Sequence, residues 1–341
     1  MIHIAVAALS MTTMAHAADA TAPQAWDGQA PQRFHIESHA VLPDQVEFPA
    51  RRNSQAWVHR YELRANTTCA TTAVRKRRTT VTCTVDEAAL SGTAGPAFDM
   101  VLGGILKQYG ELLTGTSVEL SFRTNGTLAA VDINGLPRDT PRDARVQNVL
   151  EAVAAQAFAG FDFEAPTGAS TWTQANPRTA AHLNPQGAVS RSSLAHTVNN
   201  DSNGVLTIQA TGESSVGIRG TMEGNQTAGE LFVLGGTTGS HTLWDNPSGT
   251  LLTRTWWTHL ESTASAPRMQ RPMLAPDKDG HSRQVYSVAG LVVQIPDGTA
   301  FPALGKSTAG VFGSQSAQLV DAHVLGESAG EVLAEATALQ P

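Results

Sequence analysis

Charge is scarce in this sequence. Asp, Glu, Lys and Arg together make up 16% of its 341 residues, against about 25% in an average soluble protein. Lysine is nearly missing, with 4 Lys beside 19 Arg. The 30 acidic residues outnumber the 23 basic ones, for a formal net charge of −7. That balance excludes a sequence-independent nucleic-acid binder, which needs a basic surface to neutralise phosphates. Aromatic residues are also few, at 6%. No internal apolar run approaches the roughly 18 residues that would read as a membrane-spanning helix. Hydrophobic residues still reach 41%, too many for an intrinsically disordered chain. Uncharged polarity fills the place of charge: 37 Thr, 23 Ser and 30 Gly. Threonine at this abundance favours strands, and the composition reads as a β-rich globular protein.

Cysteine is the other shortage. Cys69 and Cys83 are the two cysteines in the sequence. Their meaning depends on compartment, and the first residues speak to that. Ile2 to Met14 is apolar and small, and Ala15-His16-Ala17 supplies a small-residue cleavage site before Ala18. Residues 1–17 therefore read as a secretory signal peptide, and the protein is expected to be exported, to the periplasm or the outside. No cysteine follows the cleavage site, so a lipid anchor is not expected. In an exported protein two cysteines are expected to pair. Buried free thiols and metal ligation are the alternatives, and no His stands at a spacing that would complete a zinc site.

Residues 18–32 are rich in Ala, Pro, Gln and Gly and read as a flexible N-terminal segment. Alternating patterns then predict strands over 33–41, 56–66 and 79–85. Between Pro96 and Leu113 the period becomes helical, with Phe98, Val101, Leu102, Ile105, Leu106, Tyr109, Leu112 and Leu113 on one face. Gly103, Gly104 and Gly110 lie inside this helix, at a cost of nearly 1 kcal/mol each relative to Ala, which points to close packing of backbone on backbone. Asn125-Gly126 marks a hairpin between two alternating runs. A second helix is expected over 141–159, with Val146, Val149, Leu150, Val153, Ala157 and Phe158 as its apolar stripe. From Ser170 onward the pattern is all β, with strands at 169–175, 189–199, 204–211, 215–222, 229–234, 240–245, 250–260 and 284–295. Turns are read at 199–204, at Gly235-Gly236 and at 246–249. Residues 264–281 read as a linker or long loop, and 282–341 as a C-terminal β-containing segment of the same domain as 33–263.

Several short motifs dissolve in context. Gly326-Glu327-Ser328-Ala329-Gly330 matches G-x-S-x-G, but no His follows it and no alternation of strands and helices surrounds it. Ser328 is therefore not expected to be a nucleophile. Gly305-Lys306-Ser307-Thr308 lacks the first glycine of a phosphate-binding loop, since Ala300 stands there. Asn199 to Gly204 resembles half of a calcium loop, without the closing bidentate Glu. Arg75-Lys76-Arg77-Arg78 is the densest charge run and sits at the tip of the Cys69–Cys83 hairpin, where a solvated loop is the plain reading. Trp256 and Trp257 are neighbours in one strand and must point to opposite faces. No catalytic constellation, metal site or cofactor motif emerges.

The stretch from about Arg33 to Ala264 resembles uncharacterised exported proteins of GC-rich Gram-negative bacteria. The residues that carry this are the Cys69…Cys83 hairpin with Ala88-Ala89-Leu90, the Leu120…Gly126…Val131 hairpin, Ala157-Phe158-Ala159-Gly160, Trp172, and Gly249…Arg254-Thr255-Trp256. A curved antiparallel sheet with two inserted helices also looks like the half-barrel carriers of lipids and lipoproteins. The expected fold is thus α+β: one large curved antiparallel β-sheet, half-barrel-like, with two amphipathic helices, 96–113 and 141–159, packed on it. The expected function is non-catalytic binding of a lipid or other hydrophobic small molecule, with an envelope protein as the alternative partner. A hydrolase is a distant third.

Overall fold

The computed structural model describes residues 26, 30–49, 55–93, 99–136, 144–164, 169–175, 189–200, 204–219, 230–262 and 284–304. The expected signal peptide, the 264–281 linker, Ser328 with its motif, and Gly305 to Thr308 lie outside them.

Eleven strands form one antiparallel sheet. In chain order they are β1 (Gln32–Pro49), β2 (Gln55–Arg75), β3 (Arg78–Thr93), β4 (Ser117–Arg123), β5 (Leu128–Asn134), β6 (Thr171–Ala175), β7 (Val189–Asn200), β8 (Val205–Arg219), β9 (Glu230–Asp245), β10 (Thr250–Ser262) and β11 (Gln284–Ile295). Two helices interrupt them: α1 (Asp99–Leu113) between β3 and β4, and α2 (Ala144–Ala157) after β5, which runs into a 3-10 turn, Phe158–Phe161. The spatial order is β5-β4-β3-β2-β1-β11-β10-β9-β8-β7-β6. The chain starts in the middle, walks out to β5, crosses by α2 to the far edge at β6, and walks back until β11 pairs with β1, Arg33 opposite Ile295 and Val41 opposite Ser287.

Period-two alternation sorts the strands into two faces. On one face Phe34, Ile36, Tyr61, Leu63, Val81, Leu120 and Phe122 are buried. Both helices seat on this face, because only there can their apolar stripes leave water. Ile105, Leu106, Tyr109, Leu112 and Leu113 of α1 share one core with Val146, Leu150, Val153 and Ala157 of α2. The Tyr61 hydroxyl donates to Gln156 Oε1 across the contact. The architecture is therefore the α+β arrangement expected, with the helices on a shared inner face. The side chains of Phe98, Val101 and Leu102 lie outside the description.

The helical glycines divide. A Cβ on Gly110 would lie 3.0 Å from the Leu90 nitrogen and 3.2 Å from the Ala88 carbonyl oxygen, so α1 does ride directly on β3 there. Gly103 and Gly104 face open space, and close packing does not explain them. Trp26, inside the segment read as flexible, is buried and has its ring 5.7 Å from those of both Phe34 and Phe122. Two more readings need correction. The separate strands expected at 204–211 and 215–222 fall on one long strand, β8, within the described residues, as do those at 229–234 and 240–245 on β9, and Gly235-Gly236 is not a turn: β9 passes straight through it, paired to β8 and β10. The turns at Asn125-Gly126 and 246–249 are where the pattern placed them.

On the other face Leu243, Leu291, Val293 and Ile295 form a second small core with Phe301. The segment after β11 folds back over it. Arg33 donates to the Thr299 carbonyl at 2.6 Å and stacks 3.9 Å above the Phe301 ring. Asn66 Nδ2 donates to the Pro302 carbonyl at 3.0 Å. Asn66 is held in turn by His35, whose other ring nitrogen meets Glu37 at 3.1 Å. Glu37 and Glu62 flank Arg64, at 3.7 and 2.6 Å. This buried polar chain ties the 296–304 segment to β1 and β2.

Cys69 and Cys83 are opposite one another in the β2–β3 ladder and form a disulfide, with Cα atoms 3.9 Å apart and both side chains fully buried. The bridge spans a sequence separation of 14. Replacing both cysteines with Ala is expected to lower stability by about 3 kcal/mol, the loop-entropy value for this span. Urea unfolding checks it, with the m-value expected to rise as the unfolded chain loses its cross-link; a shift under about 1 kcal/mol would mean the ladder alone fixes the hairpin.

Candidate functional site

Alternation places Arg254 on the inner face of β10, in line with Trp256, Thr258 and Leu260 rather than with the outward Thr253 and Thr255. A guanidinium pointing into the core is costly unless its donors are met. Arg254 is fully buried. One edge is satisfied: Nη1 donates to the Asp162 carbonyl and, at 3.3 Å, to the Gly160 carbonyl. Both acceptors come from the end of the 3-10 turn, where the chain leaves helical geometry and its carbonyls have no intrahelical donor. Among the described residues Nε and Nη2 have no acceptor. Burial lowers the Arg254 pKa to about 10, against the opposing pull of Asp162.

Asp162 joins the two ends of the sheet. Its Oδ1 accepts from the backbone nitrogen of Leu128 at 2.8 Å and from Gln174 Nε2 at 3.4 Å. Leu128 opens β5 and Gln174 lies in β6, the first and last strands of the spatial order. One carboxylate oxygen within reach of both means that the sheet curls until its edges nearly meet. The helices fill the side of the curl formed by β1–β5, and Arg254 points into the remainder.

Aromatic rings pack around Arg254 on that side. Phe163 lies 5.6 Å from the Arg254 guanidinium and 5.3 Å from the Trp244 ring. His196 on β7 stacks on Trp172 of β6, with centroids 4.7 Å apart and planes 3° from parallel, and meets the Phe163 ring at 6.4 Å. Around them β8 and β9 present small inward residues: Ala210, Gly212, Ser214, Ser240 and Thr242. Several polar atoms here are buried without a partner among the described residues, including both His196 ring nitrogens, Ser214 Oγ, Ser240 Oγ, Thr242 Oγ1 and Gln174 Oε1. Native interiors keep such groups few, so their concentration on one inner surface sets it apart from the helix-packed side.

Burial, followed by the charge of Arg254, pushes the His196 pKa down to about 4. The folded protein therefore holds His196 neutral where the unfolded chain, near 6.5, takes a proton. Stability from this group is complete above pH 6.5 and is lost as the pH falls toward 4, by about 3 kcal/mol in all. His241, on the outer face of β9, is shifted the same way by burial. Urea midpoints at pH 7 and pH 4.5 are expected to converge in His196→Phe relative to the unsubstituted protein. Parallel pH dependence in the two would show that His196 is not held neutral.

The sequence reading brought none of these groups forward as a site; Arg254 and Trp172 entered it through the resemblance alone. The signal was present in period-two phase: Arg254 and His196 alternate in step with Trp256 and with Leu194 and Val198. Asp162 has no such signal, because it lies past the end of a helix. The residues that the sequence did single out separate. Cys69 and Cys83 lie across the sheet in the helix-covered half, and Arg75 to Arg78 form the exposed β2–β3 turn. Among the described residues no three His, Cys, Asp or Glu side chains gather as a metal site, and no helix is long and apolar enough to cross a membrane.

Neither a protein-family model nor a curated protein matches the chain. Among solved structures, one described as lipid–protein interactions in lipovitellin aligns with 81% of this chain and 26% of its own, at 12% identity and a TM-score of 0.39. The chain thus spans about a quarter of that protein's length, and a likeness at this level carries no functional argument.

Proposed function

We propose that this protein is an exported, non-catalytic carrier that holds a lipid or other hydrophobic molecule inside the curled sheet. The observation that supports this is the contrast between the two halves of the inner face. The β1–β5 half is filled by helices and large apolar side chains. The β7–β10 half also sends Ile208, Trp244, Trp256 and Leu260 into the common core, but it adds the small residues of β8 and β9 and a group of buried polar atoms that lack partners among the described residues. Such a mixture, mostly apolar with a few convergent polar groups, is the usual make-up of a ligand site. The disulfide accords with an oxidising compartment. Among the described residues no acid–base or nucleophile pair converges at Arg254: His196 is flanked by rings, and Asp162 accepts from Leu128 and Gln174. Export remains part of the proposal, as does the kinship with exported Gram-negative proteins.

The test compares protein purified natively with protein stripped by organic solvent. Mass spectrometry of the native sample should show a stoichiometric hydrophobic compound, and the stripped protein should take up an environment-sensitive apolar dye with saturation at one site. A folded protein that releases no such compound and binds no dye would overturn the carrier reading, and would favour the alternative of a protein-binding surface.

A further inference from the structure

Resting on that carrier reading, we infer that the ligand is an amphiphile with a carboxylate head group, a fatty-acid-like molecule, whose two oxygens are received by Nε and Nη2 of Arg254. The geometry is that of the guanidinium itself. Nη1 is tied down by the carbonyls of Gly160 and Asp162, so the plane of the group is fixed before any ligand arrives. The edge left over is Nε with Nη2, and neither has an acceptor among the described residues. Those two parallel N–H donors match the spacing of a carboxylate and bind it in a fork. Arg254 and the Asp162 carboxylate together are near neutral, so a bound carboxylate leaves one buried negative charge where a phosphate dianion leaves two; the fork, more than the charge count, selects the carboxylate. Phe163 covers the guanidinium, and Trp244 and Trp172 continue the ring cluster, so an alkyl chain leaving the head group meets apolar surface at once. Ser240 and Thr242 hydroxyls stand on the neighbouring strand.

The assay is quenching or enhancement of intrinsic tryptophan fluorescence in the stripped protein, with laurate, dodecanol and dodecyl phosphate as probes. Laurate should bind about 10- to 100-fold more tightly than dodecanol, the range for a charge-assisted pair. Arg254→Gln should lose that preference while still binding dodecanol. Arg254→Lys, which keeps the charge without the fork, should recover a small part of it. Should neither variant fold, the three-probe comparison on the unsubstituted protein decides alone. Equal affinity for laurate and dodecanol, or a preference for the phosphate, would overturn the head-group assignment and leave the carrier reading standing. Failure of all three probes would take both down.

Discussion

Replacing Asp162 with Ala should destabilise the protein by about 3–5 kcal/mol, the usual cost of leaving a buried charge without its partner. At least three contacts depend on this side chain. Its Oδ1 receives the Leu128 backbone nitrogen and Gln174 Nε2, and its charge supports the buried Arg254. The carbonyl that also receives Arg254 survives the substitution, so the loss measures the carboxylate. Asp162→Asn keeps an oxygen in the same place and removes only the charge, and should cost distinctly less. Urea unfolding of both variants checks the pair. A cost under about 1 kcal/mol for Ala would mean that the two edges of the sheet are held together by something else.

Adding a single methyl group at Gly212 should cost about 3 kcal/mol or prevent folding. Gly212 is opposite Leu194 in the β7–β8 ladder. A Cβ there would fall well inside the contact distance of the Ser193 carbonyl oxygen. The obstacle is backbone in a paired strand and cannot swing aside, so the substitution sits at the upper end of overpacking costs. Gly235→Ala is the matching control. It also lies within a strand, but nothing comes within 4 Å of its added Cβ, and it should change stability by less than about 0.5 kcal/mol. Circular dichroism melts of the two variants compare them directly, and equal effects would refute the close approach at Gly212.

Gly212 and Gly236 also explain why part of the fold was illegible from sequence. Glycine pairs read as turns because most of them are turns. Here Gly236 serves a close passage beside the His259 carbonyl, and a chain read one segment at a time holds no record of its neighbour strand. The two helices were legible because the 3.6-residue period is local, as were the hairpin at Asn125-Gly126 and the pairing of Cys69 with Cys83. The site was not, because it is assembled by the curl. Asp162, Gln174, His196 and Arg254 come from four separate segments, and what unites them is the meeting of β5 and β6 at one oxygen. Arg254 and His196 could have been flagged by phase alone. Their roles needed the third dimension.

The placement of β1 beside β11 governs how this protein reaches its folded state. In each half of the sheet, β1 to β5 and β6 to β11, strands that are neighbours in the chain are neighbours in the sheet, so their contacts close far shorter stretches of chain than the seam does and can form earlier. The seam between the halves joins Arg33 to Ile295, across nearly the whole described chain. Loop-closure entropy grows only with the logarithm of length, so this seam takes little from equilibrium stability, but long-range pairing slows folding strongly. Until it closes, the inward edges of β1 and β11 are unpaired ladders, open to the matching edge of another molecule. The time spent with that seam open, more than the strength of the finished core, sets the window in which two chains could exchange halves.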